Sequence, residues 1–144
     1  IESWDCSNIE FSGIGFGSAD YCASTGGDMG KASLAYGRGK IINAAALYNT
    51  LALDGVWLDF KDPDGCREET LYVKSMGFKG RFAIHPDQIK PIHDAYRPTT
   101  EELEWAKGVL EEAKTAGSGA FKYQGKMVDA PVLAVARLII SRED

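Results

Sequence analysis

Two acidic side chains near the start of the chain are the first candidates for chemistry. A short apolar run, residues 14–17, leads directly into Asp20, and Glu2 lies upstream of it. A pair of carboxylates can hold a hard cation, which prefers oxygen ligands. Taken alone, however, Asp20 is more simply interpreted as a turn residue at a strand end, and Glu2 as a solvated terminus. A chemical role for either residue therefore needs further support.

Three glycine-rich or aspartate-rich motifs lack the spacing that their chemistry requires. "GIGFG" is not the G-x-G-x-x-G of a dinucleotide-binding turn, and "GRGK" is followed by Ile41 where a phosphate loop needs Ser or Thr. "DFKDPDG" has the wrong offsets for a calcium loop and is interrupted by Pro63. This last motif instead predicts an Asx-type turn and a helix cap after a strand.

Neither histidine belongs to a recognisable catalytic or metal motif. His85 and His93 have no nearby cysteine and no nucleophilic serine signature, so each is interpreted as an imidazole that hydrogen-bonds within a loop. Only His85 remains a candidate for a functional role, because it is predicted at the C-terminal end of a strand.

The elements that must position these residues alternate between strand and helix. Short apolar runs predict strands, and apolar residues at helical spacing predict helices. The predicted order is a strand at 14–17, a helix within 34–53, a strand at 56–60, a helix at 67–76 closed by Gly77, and a strand at 81–84. Repeated strand–helix units predict a parallel sheet covered by helices.

The pattern changes in the last third of the chain. A short helix or turn is predicted at 87–96. Thr99 and Glu102 form a capping box, which predicts a helix that ends before Gly117. A glycine-punctuated loop follows, and then a helix at 131–141.

The start of the chain is too short for the predicted topology. Parallel strands need a crossover of about a dozen residues or more, usually with a helix, yet only ten residues separate Glu2 from Gly13. Either Ile1 is not a strand end, or residues are absent between positions 2 and 13, and we favour absent residues. The lack of an initiator methionine also indicates a truncated start.

Composition narrows the class of protein. The 144 residues are 44% hydrophobic and 26% charged, which is enough for one domain with a packed core. The net charge of -5 and the scattered basic residues argue against nucleic acid as a partner. An odd number of cysteines without C-x-x-C spacing indicates a reducing compartment, so we expect a cytoplasmic protein. No apolar run reaches the ~20 residues that span a bilayer, so no membrane partner is expected.

Four segments of the sequence carry a family resemblance. They are "GFGSADY", "LDFKDPDGCREE", "GFKGRFAIHPDQI" and "GAFKYQGKMVDAPVL". In order and approximate spacing they resemble the C-terminal half of the citrate lyase beta-subunit-like family, which includes malyl-CoA and citramalyl-CoA lyases. The resemblance runs from about Gly13 to Ile140. It depends on the combination of "IHP" and glutamine with "G-x-M-V-D-x-P", since each motif alone is weak.

The resemblance implies an α/β fold, the TIM (β/α)8 barrel, of about twice this length. This chain then carries the C-terminal half of the barrel and a C-terminal helical extension. Residues 1–98 are assigned to the barrel and residues 99–144 to the extension. Ile1 and Glu2 resemble the end of the fifth strand, and "GFGSAD" resembles the end of the sixth. Active sites of such barrels collect at the C-terminal ends of the strands.

The resemblance also implies a metal site and a substrate pocket. Glu2 and Asp20 are predicted to hold Mg²⁺, which takes few protein ligands and leaves room for substrate and water. Gly17, Ser18 and Ala19 are predicted to bind the carboxylate of the substrate, through main-chain N–H groups that small residues leave accessible.

The remaining site residues come from the same resemblance. Asp129 is predicted to move a proton at the α-carbon of the acyl-CoA, and to act in trans on a neighbouring subunit of a homotrimer or hexamer. Its alternative role is the N-cap of the helix that starts near Pro131. His85, Pro86 and Gln88 are predicted to contact coenzyme A.

The implied activity is that of a Mg-dependent acyl-CoA lyase. Such an enzyme reversibly cleaves a C–C bond of a 3-hydroxyacyl-CoA to give an acyl-CoA and a 2-oxo acid. Malyl-, citramalyl- and citryl-CoA are not distinguished, nor is a lyase distinguished from a thioesterase-coupled variant. The alternative is a noncatalytic protein or a flavodoxin-like ligand-binding module. A half barrel should have parallel strands in chain order, with an unclosed sheet edge.

Overall fold

The computed structural model describes residues 10–117 and 119–143. Within them the chain forms two compact units, of which the first ends at Tyr96 and the second begins at Arg97. Glu2 and the proposed gap between positions 2 and 13 involve residues outside the described part, so the metal-ligand role of Glu2 and the gap stay predictions.

A three-stranded parallel sheet forms the centre of the first unit. Its strands are β1 (Gly13–Gly15), β2 (Leu51–Asp54) and β3 (Gly80–Arg81), and they lie side by side in chain order. Ile14 pairs with Ala52, and Leu53 pairs with Gly80. The predicted parallel sheet is confirmed. Its sequential order is typical of a barrel, whereas a flavodoxin-like sheet has strands out of chain order.

Helices and one short 3₁₀ turn connect and follow these strands. They are α1 (Ser18–Thr25), α2 (Lys31–Leu47), α3 (Pro63–Met76), the 3₁₀ turn Pro86–Gln88 and α4 (Ile89–Tyr96). The "GRGK" motif lies inside α2, which confirms that it is no phosphate loop. A crossover with helices between each pair of strands is what parallel pairing requires.

The middle strand does not lie where the sequence predicts it. The prediction of a strand at 56–60 is wrong, because those residues form a loop after β2. The preceding helix ends at Leu47 rather than continuing to 53, and Asn49, with a φ of 49°, turns the chain towards β2. The true strand is short, and its three apolar residues fall at the end of the predicted helix, so the sequence does not separate it from that helix.

The "DFKDPDG" segment confirms the prediction of a turn and a cap. The Oδ1 atom of Asp59 accepts a hydrogen bond from the Lys61 amide at 3.1 Å. The Oδ1 atom of Asp62 accepts one from the Gly65 amide at 2.9 Å, and Pro63 is the first residue of α3. The helix therefore begins four residues earlier than the predicted Arg67, since Asp62 satisfies an exposed helical N–H group.

The core of the first unit lies between the sheet and its helices. Ile14 and Ala52 point to this side of the sheet, where they meet Leu34 and Ala45 of α2 and Val73 of α3. Gly37 allows a close approach, because a methyl group there would lie 2.8 Å from the Phe16 ring. Alternating strand residues thus bury one face, as the two-residue period of a strand requires.

The second unit packs two helices with a β-hairpin. Its elements are α5 (Thr100–Ala116), β4 (Phe121–Tyr123), β5 (Lys126–Val128) and α6 (Ala130–Ile140). The predicted capping box of Thr99 and Glu102 is confirmed. The hairpin corrects the predicted loop: Gln124 and Gly125 both have positive φ, as a tight two-residue turn requires. Ala106, Val109, Val128 and Ala136 form the core of this unit.

Among the helices of residues 10–117 and 119–143, none combines the length and the apolar character needed to cross a bilayer.

Candidate functional site

A cavity of about 270 Å³ lies at the C-terminal ends of β1 and β2. It is lined by Gly15, Phe16, Gly17, Ser18, Ala19, Asp20, Gly55, Val56 and Phe82. The structure therefore brings four predicted site residues, from Gly17 to Asp20, to one cavity at the strand ends. This is the edge where parallel barrels place their active sites.

A tight turn between β1 and α1 forms the wall that carries these residues. The Phe16 amide donates a hydrogen bond to the Leu53 carbonyl at 2.9 Å, which extends the sheet contact beyond β1. The Ser18 amide then donates to the Phe16 carbonyl at 3.1 Å, and the Tyr21 amide to the Gly17 carbonyl at 2.9 Å. Helix α1 thus starts directly at the end of the strand.

The side chain of Asp20 is exposed in the first turn of α1. The N-terminal end of a helix carries a partial positive charge, which attracts anionic groups of a ligand near this position. Within the part of the chain that the structure describes, no hydrogen bond or ion pair engages this carboxylate. Asp20 therefore has oxygen atoms available for a ligand.

The neighbouring small residues differ in exposure. Gly17 and Ala19 are exposed, whereas Ser18 is only 3% exposed and its side chain faces the protein interior. The Ser18 amide already bonds to the Phe16 carbonyl. Ala19 is therefore a better candidate than Ser18 to offer a main-chain N–H group to a ligand. The substrate-binding roles of Gly17, Ser18 and Ala19 stay predictions.

A magnesium ion is compatible with the donor chemistry of this cavity. Mg²⁺ prefers carboxylate oxygen and retains several waters, so it needs few protein ligands. Asp20 supplies one free carboxylate. No group of three or more His, Cys, Asp or Glu residues that could hold a metal exists among the described residues. Glu2, the other predicted ligand, lies outside residues 10–117 and 119–143, so its role stays a prediction.

The predicted coenzyme contacts lie in the loop that follows β3. The half-buried His85 ring stacks on Phe60 with a centroid distance of 4.9 Å. Its Nδ1 atom accepts a hydrogen bond from the Asp87 amide at 3.3 Å, which is the loop hydrogen bond that the sequence predicts. Pro86 is exposed, so it is accessible to a ligand.

Gln88 is buried, and both ends of its side-chain amide bond to main chain. Its Oε1 atom accepts from the Ile84 amide at 2.9 Å, and its Nε2 atom donates to the Trp57 carbonyl at 2.7 Å. These bonds join the loop after β3 to the loop after β2. The observed role of Gln88 is therefore structural, and its contact with coenzyme A stays a prediction.

Asp129 is the N-cap of α6, which is one of its two predicted roles. Its Oδ1 atom accepts a hydrogen bond from the Val132 amide at 3.4 Å, and Pro131 follows in the first helical turn. A donor–acceptor distance of 3.4 Å is long for such a bond, so the cap is weak. The carboxylate is partly exposed, and the catalytic role stays a prediction.

Comparison with known proteins gives the family. Residues 39–143 match the family model C-C_Bond_Lyase, described as being of the TIM-Barrel fold. The chain belongs to this family. The predicted barrel fold and the predicted family resemblance are thereby confirmed.

Relatives of this C-C bond lyase chain include named enzymes. It is 36% identical over 131 residues to a mitochondrial citramalyl-CoA lyase of Rattus norvegicus. This match covers 88% of this chain and 39% of the relative. It is 35% identical over 137 residues to the citrate lyase subunit beta of Escherichia coli K12. This second match covers 92% of this chain and 45% of the relative. The chain spans half or less of the length of these relatives.

A solved structure supports the same fold. The protein CitE from Mycobacterium tuberculosis, in complex with magnesium, acetoacetate and coenzyme A, is 36% identical with a TM-score of 0.76. The match covers 92% of this chain and 52% of that chain.

An ionic cluster beside the site is absent from the sequence-based predictions. In this member of the C-C bond lyase family, Asp54 is fully buried at the end of β2 and forms ion pairs with Arg38 and Arg81. Arg38 also pairs with Glu69 at 2.8 Å. The signal in the sequence is faint: an aspartate that follows an apolar run, with arginines 16 residues before and 27 residues after it.

Proposed function

We propose that the protein is a magnesium-dependent acyl-CoA lyase, which cleaves a 3-hydroxyacyl-CoA into an acyl-CoA and a 2-oxo acid. The observation that carries this proposal is the Asp20 carboxylate, free of partners among the described residues, beside a strand-end cavity in a C-C bond lyase chain. Relatives named citramalyl-CoA lyase and citrate lyase subunit beta support the reaction class.

Asp20 and Glu2 are the proposed ligands of the metal. The CitE structure that contains magnesium supports the choice of ion, and the exposed carboxylate of Asp20 has the oxygen chemistry that Mg²⁺ prefers. When bound, the metal supplies positive charge that stabilises oxyanions of the substrate. The position of Asp20 at the start of α1 adds a smaller contribution of the same sign from the helix N-terminus.

The residues around Asp20 bind and orient the substrate in this proposal. Gly17 and Ala19 are small and exposed, so a substrate carboxylate can approach the main chain and the Ala19 N–H group in the first turn of α1. The hydroxyl on C3 of the substrate loses its proton, and the bond between C2 and C3 of the substrate breaks. C3 becomes the keto carbon of the 2-oxo acid, and C2, now in the acyl-CoA, gains a proton. The reaction is redox-neutral and needs no further reactant.

Coenzyme A is proposed to pass over the loop after β3. His85 and Pro86 are accessible there, while Gln88 holds the loop against the Trp57 main chain. The CitE complex with coenzyme A supports a thioester ligand. Gln88 then contributes by positioning rather than through a free polar atom.

Asp129 is the proposed proton carrier at the α-carbon, and it acts on a neighbouring subunit in a homotrimer or hexamer. Its carboxylate is partly exposed and is held only by a long capping bond, so it is accessible to a substrate. Mixed oligomers test this geometry. An Asp20→Ala subunit combined with an Asp129→Asn subunit should recover part of the activity that each lacks alone. Subunit exchange without recovery would show that Asp129 does not act in trans.

The substrate is a malyl-, citramalyl- or citryl-CoA-like thioester. Assays of these three with magnesium would rank them. The cytoplasmic location stays a prediction, since one group of relatives carries mitochondrial names.

Substitution of Asp20 tests the proposal most directly. Asp20→Ala should abolish magnesium-dependent cleavage and weaken magnesium binding, because it removes a metal ligand. Asp64→Ala is the matched control, since Asp64 is another exposed aspartate in the first turn of a helix. Cleavage of the C–C bond can be followed through release of the 2-oxo acid, and metal binding by calorimetry. Full turnover in Asp20→Ala, or equal losses in both variants, would contradict the proposal.

A further inference from the structure

A buried ionic cluster, formed by Arg38, Asp54, Glu69 and Arg81, lies next to the wall of the candidate site. We propose that this cluster positions Asp20 for metal binding, through the main chain of Gly55. The inference rests on the proposed function, because it concerns the metal site of that function. Arg38, Asp54 and Arg81 are therefore proposed as positioning residues that do not touch the metal or the substrate.

The first step is the fixation of the end of β2 by three donors. Asp54 accepts hydrogen bonds from Arg38 Nε on Oδ1 and from Arg38 Nη2 on Oδ2, both at 3.1 Å. Its Oδ2 atom also accepts from Arg81 Nη2 at 3.0 Å. Arg38 lies in α2 and Arg81 in β3, so the carboxylate of Asp54 joins a helix and a neighbouring strand. A two-point guanidinium contact restricts rotation as well as distance.

The residues of the cluster are buried and of opposite charge, and Glu69 also pairs with the exposed Lys31 at 3.6 Å. Two guanidinium groups face the two carboxylates of Asp54 and Glu69, and all four residues are buried. The low dielectric constant of such an interior strengthens these attractions compared with those at a surface. The hydroxyl of Thr70 accepts a further hydrogen bond from Arg81 Nη1 at 3.2 Å. The cluster is therefore a rigid reference point for nearby main chain.

The second step runs from the cluster to Gly55. Arg81 Nε donates a hydrogen bond to the Gly55 carbonyl at 3.1 Å, directly after the end of β2. Gly55 in turn packs against the turn before α1. A methyl group at Gly55 would overlap the Ser18 hydroxyl and would lie 2.9 Å from the Phe16 carbonyl oxygen. The φ angle of Gly55 lies outside the left-handed region, so the lack of space is what requires glycine.

The third step runs from Ser18 to Asp20. Ser18 is the first residue of α1 and Asp20 the third, so a displacement of Ser18 shifts the Asp20 carboxylate with the helix. Gly55, Ser18 and Asp20 line the same cavity. A second cavity, of about 280 Å³, is lined by Ser18 together with Arg38, Glu69 and Arg81. Ser18 thus separates the ionic cluster from the candidate metal site.

Metal affinity separates this role from a purely stabilising one. Manganese serves as the probe, since the free ion can be counted by electron paramagnetic resonance and no turnover is needed. Gly55→Ala should weaken Mn²⁺ binding by about tenfold, as loss of a supporting residue behind a metal ligand does. Gly39→Ala is the control glycine substitution. Gly39 lies in α2, and a methyl group added there has no neighbouring atom within 4 Å. It should bind Mn²⁺ as the unaltered protein does.

Asp54→Asn tests the cluster itself. It keeps the size of the side chain, removes its charge, and should weaken Mn²⁺ binding in the same way as Gly55→Ala. Val73→Ala provides a folded protein of lowered stability, since Val73 is fully buried in the apolar core and makes none of the ionic contacts of the cluster. Its Mn²⁺ affinity should be unchanged. If Asp54→Asn does not fold, Gly55→Ala decides alone.

The outcomes distinguish the two proposals. Absence of Mn²⁺ binding in the unaltered protein would overturn the proposed function. Normal Mn²⁺ binding in the unaltered protein and equal affinity in Gly55→Ala would overturn the positioning role and leave the proposed function intact. Equal weakening in Val73→Ala would also overturn it, because general loss of stability would then explain the effect.

Discussion

Two aspartates near neighbouring strand ends have opposite surroundings. Asp54 is fully buried and accepts three hydrogen bonds from two arginines. Asp20 is exposed in the first turn of α1, and no described residue pairs with it. A carboxylate whose partners are all within the protein supports the fold, while one with free oxygens is available to a ligand. Position at a strand end therefore does not identify a functional acid until its partners are known.

The largest expected effect on stability is that of Asp54→Ala. The substitution leaves two buried guanidinium groups without their carboxylate, which should lower the free energy of unfolding by about 3–5 kcal/mol. Chemical denaturation measures this loss. Asp59→Ala is the control, since Asp59 is exposed and its carboxylate bonds only to the nearby Lys61 amide among the described residues. A loss below about 1 kcal/mol for Asp54→Ala would remove the contrast with Asp20, since it would equal an ordinary surface change.

Asp129→Asn should separate chemistry from capping in the second unit. Asparagine caps a helix nearly as well as aspartate, so stability should fall by less than about 1 kcal/mol. Asparagine cannot transfer a proton, so turnover should fall by about a hundredfold or more. Steady-state kinetics and thermal unfolding of the same preparation measure both. Unchanged turnover would show that Asp129, like Asp54, has a structural role and no catalytic one.

Asp62→Ala should have an intermediate effect. Asp62 accepts a hydrogen bond from the Gly65 amide at the start of α3, and loss of such a cap costs about 1 kcal/mol. Asp62→Asn should be nearly neutral because asparagine caps equally well. A large loss in both variants would mean that the charge of Asp62, and not only its cap, stabilises the fold.

Asp20→Ala should have the smallest effect on stability. An exposed side chain without partners contributes within about 0.5 kcal/mol, so the thermal midpoint without metal should hardly change. Magnesium should raise the midpoint of the unaltered protein, because a ligand that binds only the folded state stabilises it. The same addition should leave Asp20→Ala unchanged. An equal rise in both proteins would show that Asp20 is not a ligand.

Local sequence chemistry determined much of the first unit. The alternation of strands with helices, the cap at Asp62 and the parallel sheet follow from short apolar runs, helical spacing and turn residues, which act over a few neighbouring positions. Helix α1 was not predicted. The capping box at Thr99 and Glu102 is local in the same sense. The placement of Asp20 at a strand end also followed from its position after the apolar run.

Other features were decided only by the tertiary structure. The strand at 51–54 was missed because its apolar residues fall within the predicted span of the preceding helix. Its last residue is an aspartate, which is acceptable in a buried strand only when Arg38 and Arg81 reach it from other elements. Gln88 bonds to the main chain of Trp57, which lies 31 residues away. Such partnerships depend on which distant side chains meet. The sequence determines which acids are present, whereas the packing determines which of them are left free to bind a ligand.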